Sequence, residues 1–337
     1  MAWLSLSVVL MTVAFHPWLG GLPVLLCLVP AIRVAMKQER FRNRLLMGVI
    51  WGVLIFCFNF YWVVQTMHTY GRMGYGLSVA LFLPLAVVQT LPFSAWFVLF
   101  PYLYRRHPVL PVVFFPILVR LLPMVFPYSL ASALSVNPML VQSASIWGEW
   151  GLDTLVVGIN VLIWMSFQQH AWKYRFIAGG LVSVLLIWGG AVLMMPDGTG
   201  PVVRTTVIQP CVLDGDPIPV KEQNFFGAIR EARGKVDDSL VVIPESSLPD
   251  TLVGRPDFFD GVEEIRRFLN ARAILVNAVV FREGRLTNSQ FLMTAGGSLD
   301  QYDKNRLMLF GERFPFYDLF QKLPIYAANF ANFSAGE

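Results

Sequence analysis

Charge is what this 337-residue sequence has least of. Only 14% of its residues are Asp, Glu, Lys or Arg, where soluble domains carry about a quarter. No charged residue occurs from Leu45 to Met67 or from Tyr75 to Tyr104, and 55% of the chain is hydrophobic. Such gaps exclude a wholly water-soluble protein. Cysteine is also scarce. Cys27, Cys57 and Cys211 make no ligand spacing or disulfide pattern, so no metal, cofactor or disulfide framework is expected. The N-terminus lacks a basic start and a small-residue cleavage site, so it reads as an anchor and not as a removed signal peptide. There is no internal repeat and no low-complexity stretch. The net charge of +4 does not indicate nucleic acid, because the basic residues cluster in short stretches between apolar runs.

The charge that is present divides the chain. Up to about residue 195 it is nearly confined to the gaps between apolar runs; beyond about residue 200 Lys, Arg, Asp and Glu occur throughout. A bilayer core takes about 20 apolar residues in helical form, and seven segments qualify: roughly 3–16, 19–32, 45–67, 75–104, 108–126, 144–167 and 174–195. The first two are short and separated by His16, Pro17 and Trp18; Pro84, Pro92 and Pro101 are expected to kink the fourth. Arg33, Lys37, Arg40, Arg42 and Arg44 follow the second segment, Arg105 and Arg106 the fourth, and Lys173 and Arg175 the sixth, whereas 68–74 holds one basic residue and 127–143 holds none. The positive-inside rule puts the basic loops in the cytoplasm. Seven crossings then place everything after Met195 outside, which in a bacterial cell is the periplasmic side of the inner membrane.

The expected organisation is a multi-pass transmembrane helical domain (1–195), a linker (196–200) and a soluble domain (201–337). In the last, strand-like runs at 202–209, 240–243, 273–281 and 288–294 alternate with helical patterns at 220–233 and 256–270, which argues for a layered α/β domain.

Two positions there could carry chemistry. Glu245 closes the apolar run Leu240–Ile243, and ligands gather at the rims of α/β sheets. Partial burial would suit it to general-base work; the other reading is a loop glutamate in water. Lys304 could stabilise a developing oxyanion or be an ordinary surface lysine; Glu312 lies eight residues on. Arg120 sits inside an apolar run, where a charge is costly and faces protein or water. It reads either as a contact to a lipid headgroup or site partner, or as the end of a short segment, with Pro123 close behind.

Pro244-Glu-Ser-Ser-Leu-Pro249, followed by Tyr302-Asp-Lys-Asn-Arg-Leu307 and Phe310-Gly-Glu-Arg-Phe-Pro-Phe316, resembles the nitrilase (carbon–nitrogen hydrolase) superfamily. Phe60-Tyr-Trp-Val63, Phe126-Pro-Tyr128, and the stretch from Gln142 through Gly148-Glu-Trp-Gly-Leu152 to Asn160 resemble bacterial apolipoprotein N-acyltransferases. The resemblance implies a nitrilase-like α-β-β-α domain outside the cytoplasm. It also implies a cysteine thiolate that takes an acyl chain from a phospholipid donor and passes it to the N-terminal amine of a lipoprotein. By motif match Glu245 is the general base, Lys304 the oxyanion-stabilising residue and Glu312 a supporting carboxylate. The family's nucleophilic cysteine follows a segment like Asn332-Phe-Ser-Ala-Gly336 by a few tens of residues, and this sequence ends at Glu337. The domain is therefore expected to be C-terminally incomplete and the polypeptide inactive as it stands, with Cys211 no substitute. Ile117 stands where the family commonly has a glutamate three residues before the arginine matching Arg120, and Tyr128 where it has tryptophan. A conjugation-associated paralogue, a non-catalytic envelope or conjugal-transfer component and a membrane-tethered amidase are the alternatives.

Overall fold

A computed structural model describes residues 1–69, 71, 73–196, 198, 200–211, 216–236, 238–253, 256–282, 284–308, 311–313 and 333–336. The chain forms two compact units, Met1–Asp197 and Gly198–Glu337.

The first unit is helical: α1 (Ala2–Ala14), α2 (Leu28–Lys37), α3 (Phe41–Asn59), α4 (Trp62–Thr69), α5 (Tyr75–Gln89), α6 (Leu91–Arg106), α7 (Leu110–Leu121), the single turn α8 (Pro138–Val141), α9 (Ala144–Gln168) and α10 (Trp172–Leu193). Among the described residues three helices, α3, α9 and α10, are long and apolar enough to cross a bilayer, and the bent pair α5–α6 would make a fourth. Helices of this length and apolar character make the chain a membrane protein. The other apolar runs depart from single spans for identifiable reasons. The second run is broken: Gly20 and Gly21 adopt left-handed backbone (φ 56° and 75°), and two 3-10 turns, Pro17–Leu19 and Leu22–Leu25, precede α2. Gly21 also lies against the Ala133 carbonyl, where a Cβ would collide. Pro84 and Pro101 sit inside α5 and α6, but the 43° bend falls at Thr90. Pro92, in the first turn of α6, lacks the N–H that would continue the ladder. α7 stops at Leu121, with Pro123 following, so Arg120 lies in its last turn. The basic stretch from Arg33 to Arg44 is mostly not a loop: Arg33 and Lys37 are in α2, and Arg42 and Arg44 begin α3.

Polar side chains close these breaks. The buried Asn160 of α9 accepts from Leu28 N (2.8 Å) and donates to the Val24 and Val156 carbonyls (2.9 Å each). The buried Gln89 accepts from Val125 N and Phe126 N (2.8 and 2.9 Å) and donates to the Phe126 carbonyl (2.5 Å). Gly48 and Gly52 of α3 let α6 approach, and the Ser94 hydroxyl donates to the Gly48 carbonyl at 3.0 Å; small residues serve this purpose between membrane helices.

The second unit is an α/β region on a five-stranded mixed sheet in the order β1-β2-β3-β4-β5. β1 (Thr205–Val207), β2 (Leu240–Val242) and β3 (Ala273–Arg282) are parallel, while β4 (Arg285–Thr294) and β5 (Leu299–Asp303) return antiparallel. Alternation assigns the faces. Ile274, Val276 and Ala278 of β3 and Phe291 of β4 join a core with Phe225 and Ile229 of α11 (Ile218–Ala232) and Val262 and Ile265 of α13 (Phe258–Phe268). The short helix α12 (Asp250–Val253) lies between β2 and α13. Burying one such side chain contributes about 1.5–3 kcal/mol. The next residues along each strand face the other way, and that period of two brings Asn288 to the side of the sheet that carries the site.

Candidate active site

Four residues from separate parts of the second unit meet here. Glu245 stands just past β2, where Pro244 ends the strand; Ile243 N still donates to the Leu275 carbonyl at 2.9 Å. Ser246 follows in left-handed backbone (φ 57°), a conformation that costs a non-glycine residue and turns the chain sharply at the carboxylate. Lys304 follows β5 directly. Its backbone N–H donates to the Asn288 carbonyl at 2.9 Å, so the β4–β5 ladder fixes its position beside Asn288. Glu312 is tied back to Met308: its Oε2 accepts from Met308 N at 2.8 Å and its N–H donates to the Met308 carbonyl at 2.9 Å.

The side chains form one network. Lys304 Nζ donates to Glu312 Oε1 at 2.8 Å and lies 3.7 Å from Glu245 Oε1. The Asn288 amide donates to both carboxylates, to Glu245 Oε1 at 2.5 Å and Glu312 Oε1 at 2.8 Å. Its own oxygen accepts from Asn277 Nδ2 at 2.6 Å. Exposure grades the three charged groups: Glu245 is 54% exposed, Lys304 36% and Glu312 12%. Glu245 is thus about half exposed, and the less exposed carboxylate is Glu312. Burial alone would push the Glu312 carboxyl up, but the hydrogen bonds from Lys304, Met308 N and Asn288 outweigh it and hold it below its ordinary value. Burial likewise works against the Lys304 ammonium, and Glu312 and Glu245 together hold it above its ordinary value. At neutral pH Lys304 is a cation and Glu312 an anion, the states the oxyanion and supporting roles require.

Residues 333–336 tie this network together from outside. Phe333 N donates to the Glu312 carbonyl (2.8 Å), Ser334 N to Leu286 (2.7 Å) and Gly336 N to Lys304 (3.1 Å). A Cβ at Gly336 would run into the Asp303 carbonyl, so only glycine permits that approach. The motif residues Phe310, Phe314–Phe316 and Asn332 lie outside the described residues.

The sequence reading missed Asn288 and Asn277. The signal was available: asparagine is depleted in strand interiors, and a buried one has a partner to serve. Cys211 lies elsewhere, exposed, in a shallow cavity it shares with Gln223 and Asn224 of α11. Among the described residues no three His, Cys, Asp or Glu side chains converge as a metal site.

Residues 7–162 match the family model of the apolipoprotein N-acyltransferase N-terminal domain. Curated relatives agree in kind. The chain is 25% identical to apolipoprotein N-acyltransferase 2 of Leptospira interrogans over 81% of this chain and 54% of that protein. It is 24% identical to the apolipoprotein N-acyltransferase of Haemophilus influenzae, over 89% of this chain and 62% of that protein. For the enzyme of Geobacter metallireducens the identity is 24%, over 98% of this chain and 68% of that protein. The chain thus spans between about half and two thirds of the length of these relatives. Residues 7–162, inside the first unit, are thus similar to the N-terminal domain of apolipoprotein N-acyltransferases, and the chain as a whole resembles these membrane proteins at about a quarter identity.

Proposed function

We propose that this chain belongs to a membrane N-acyltransferase that moves an acyl chain from a phospholipid to the N-terminal amine of a lipoprotein through a cysteine acyl-enzyme. The observation that carries this reading is the Glu245–Lys304–Glu312 network held by Asn288. Glu245, the most exposed of the three charged groups, is free to take a proton from an incoming thiol. Lys304, fixed as an ammonium, meets the negative charge that develops on the acyl carbonyl oxygen. Glu312 keeps the ammonium in place and charged. Splitting the transfer into acylation and deacylation replaces one difficult step by two easier ones.

The second unit is read as the part of a nitrilase-like α-β-β-α domain that bears these residues, and the basic stretches around the helix ends orient it to the periplasmic side of a bacterial inner membrane. The nucleophile is read as a cysteine other than Cys211, which lies away from Glu245, Lys304 and Glu312. The test is formation of a thioester-linked acyl-enzyme from a fluorescent phosphatidylethanolamine. It is measured on the whole gene product, wild type and Cys211→Ser side by side, and acylation of both is expected. Hydrolysis of simple amides without acyl transfer would replace this reading by a membrane-tethered amidase. Neither activity, with Glu245 and Lys304 intact, would point to a non-catalytic envelope component.

A further inference from the structure

A second feature lies in the helical unit, between α7 and α9. On α7, Val113, Pro116, Ile117 and Arg120 recur at helical spacing and make one continuous stripe. Trp150 and Gly151 of α9 face it across a groove of about 390 Å³. α9 is broken at Gly148 (φ 65°, ψ −176°) beside this wall, and Gly151, whose Cβ would strike Trp147 of the same helix, is part of it. Its walls are apolar apart from Thr154, whose hydroxyl donates to the Trp150 carbonyl at 2.8 Å, and Arg120, whose guanidinium lies 5.5 Å from the centre of the Trp150 ring.

That guanidinium forms no ion pair among the described residues. The two carboxylates of α9 are engaged elsewhere. Glu149 accepts from Ser132 Oγ at 3.2 Å, and the buried Asp153 accepts from Ser129 Oγ and Ala131 N at 2.9 and 2.8 Å. An arginine beside an apolar stripe in a membrane protein is costly unless an anion meets it.

We infer that this groove binds a phospholipid, its phosphate on Arg120 and one acyl chain along the Val113–Ile117 stripe. The planar guanidinium matches phosphate oxygens in a bidentate fashion, and the indole keeps it oriented. Arg120 lies seven positions along α7 from Val113, about 10 Å of helix, so the groove offers one charged end and an apolar wall long enough for the upper part of an acyl chain. A protein helix could occupy the same place only by bringing a carboxylate into register with Arg120; a phosphate is present in every phospholipid that surrounds the protein. The inference does not rest on acyl transfer, and a binding titration separates the two.

The test is native mass spectrometry of the full chain in a neutral detergent, titrated with dioleoylphosphatidylglycerol, dioleoylphosphatidylethanolamine and dioleoylglycerol. Both phospholipids should form an adduct that dioleoylglycerol, which lacks the phosphate, forms about 10-fold more weakly, the worth of one charge-assisted contact. Arg120→Gln should bring the phospholipids to the dioleoylglycerol level. Ile117→Glu, three residues earlier on the same stripe, places a carboxylate beside Arg120 and should do the same without removing the arginine, which guards against a folding defect in the first variant. Wild-type phospholipid affinity in both variants, equal affinity for dioleoylglycerol, or a groove occupied by a second protein chain and closed to lipid would overturn the inference.

Discussion

Asn160 in the helical unit and Asn288 in the α/β unit are both buried asparagines, and each uses its amide in the same three-way manner: one bond accepted, two donated. Their partners differ in kind. Asn160 serves only backbone groups, Leu28 N and the Val24 and Val156 carbonyls. Asn288 serves only side chains, and two of the three are carboxylates. The first closes a break in the helical ladder where glycine and proline leave N–H and C=O groups without partners. The second holds charges that the fold itself does not need. The two cations repeat the contrast. Buried Arg44 donates to the Gln38 carbonyl at 2.6 Å and stacks on Tyr102, whereas Lys304 sits between two carboxylates and is partly open to solvent. A buried polar group aimed at backbone marks architecture; one aimed at other side chains marks a site.

That distinction can be broken by substitution, beginning with the largest expected effect. Glu245→Gln keeps the shape and removes the proton acceptor. Because a thiol of ordinary pKa near 8.5 needs help at neutral pH and a positioned base contributes about 10²–10⁴-fold, acyl-enzyme formation should fall by about that factor with stability unchanged. Asn160→Leu should do the reverse. It strands Leu28 N and leaves the Val24 carbonyl only the weak Cys27 thiol donor (3.2 Å), and at roughly 1–3 kcal/mol per buried unsatisfied group, moderated as membrane interiors allow, should cost about 1–3 kcal/mol. An unchanged midpoint in a sodium dodecyl sulfate unfolding titration would show that the asparagine mends nothing. Asn288→Leu lets both carboxylates drift, and a displacement near 1 Å costs on the order of 10²-fold. Acyl-enzyme formation should drop accordingly, and amide exchange in β3 should stay within a few-fold of wild type.

The site was more legible than the helical unit. Glu245, Lys304 and Glu312 come together because strand ends and one short turn position them, and a motif spells out such local geometry. Asn288 was missed because it sits mid-strand, twenty-four residues before Glu312, in a run read only for its apolar alternation. The apolar runs announced a membrane protein, but not how many are single helices. Hydropathy cannot register that Gly20 and Gly21 turn left-handed or that the bend between α5 and α6 falls at Thr90. Those outcomes depend on tertiary partners that lie far away in the chain, Asn160 for the first and Val125 and Phe126, which bond Gln89 beside the bend, for the second.

A smaller effect should appear in pH dependence. Glu312 is held below its ordinary carboxylate value, so its contribution to stability is present above the unfolded pKa, about 4.3, and is lost as pH falls through the lowered folded value. Lys304 is held above its ordinary value. Its contribution is present below the unfolded pKa, about 10.4, and is lost as pH rises through the raised folded value. Lys304→Met should therefore flatten both edges of the profile. The readout is amide-exchange protection of β4 and β5, corrected for intrinsic rates; a Lys304→Met profile that keeps both edges would show that the network does not couple these groups.

The smallest effect is expected at Cys211, and it sharpens the comparison by marking a residue that belongs to neither class. Cys211 is exposed, and its thiol approaches only the Gln209 carbonyl, at 3.8 Å. Its backbone is left-handed (φ 52°), a conformation serine tolerates no worse than cysteine because neither is β-branched. The cavity beside it is lined from α11 and includes none of Glu245, Lys304 or Glu312. Cys211→Ser should therefore change stability by no more than about 0.5 kcal/mol, the usual range for a surface position, and leave acyl-enzyme formation untouched. Mass spectrometry of the wild-type chain after incubation with phospholipid should find no thioester at Cys211. An acyl group there, lost in Cys211→Ser and in Glu245→Gln alike, would mean that the loop after β1 reaches the Glu245 carboxylate and supplies the nucleophile.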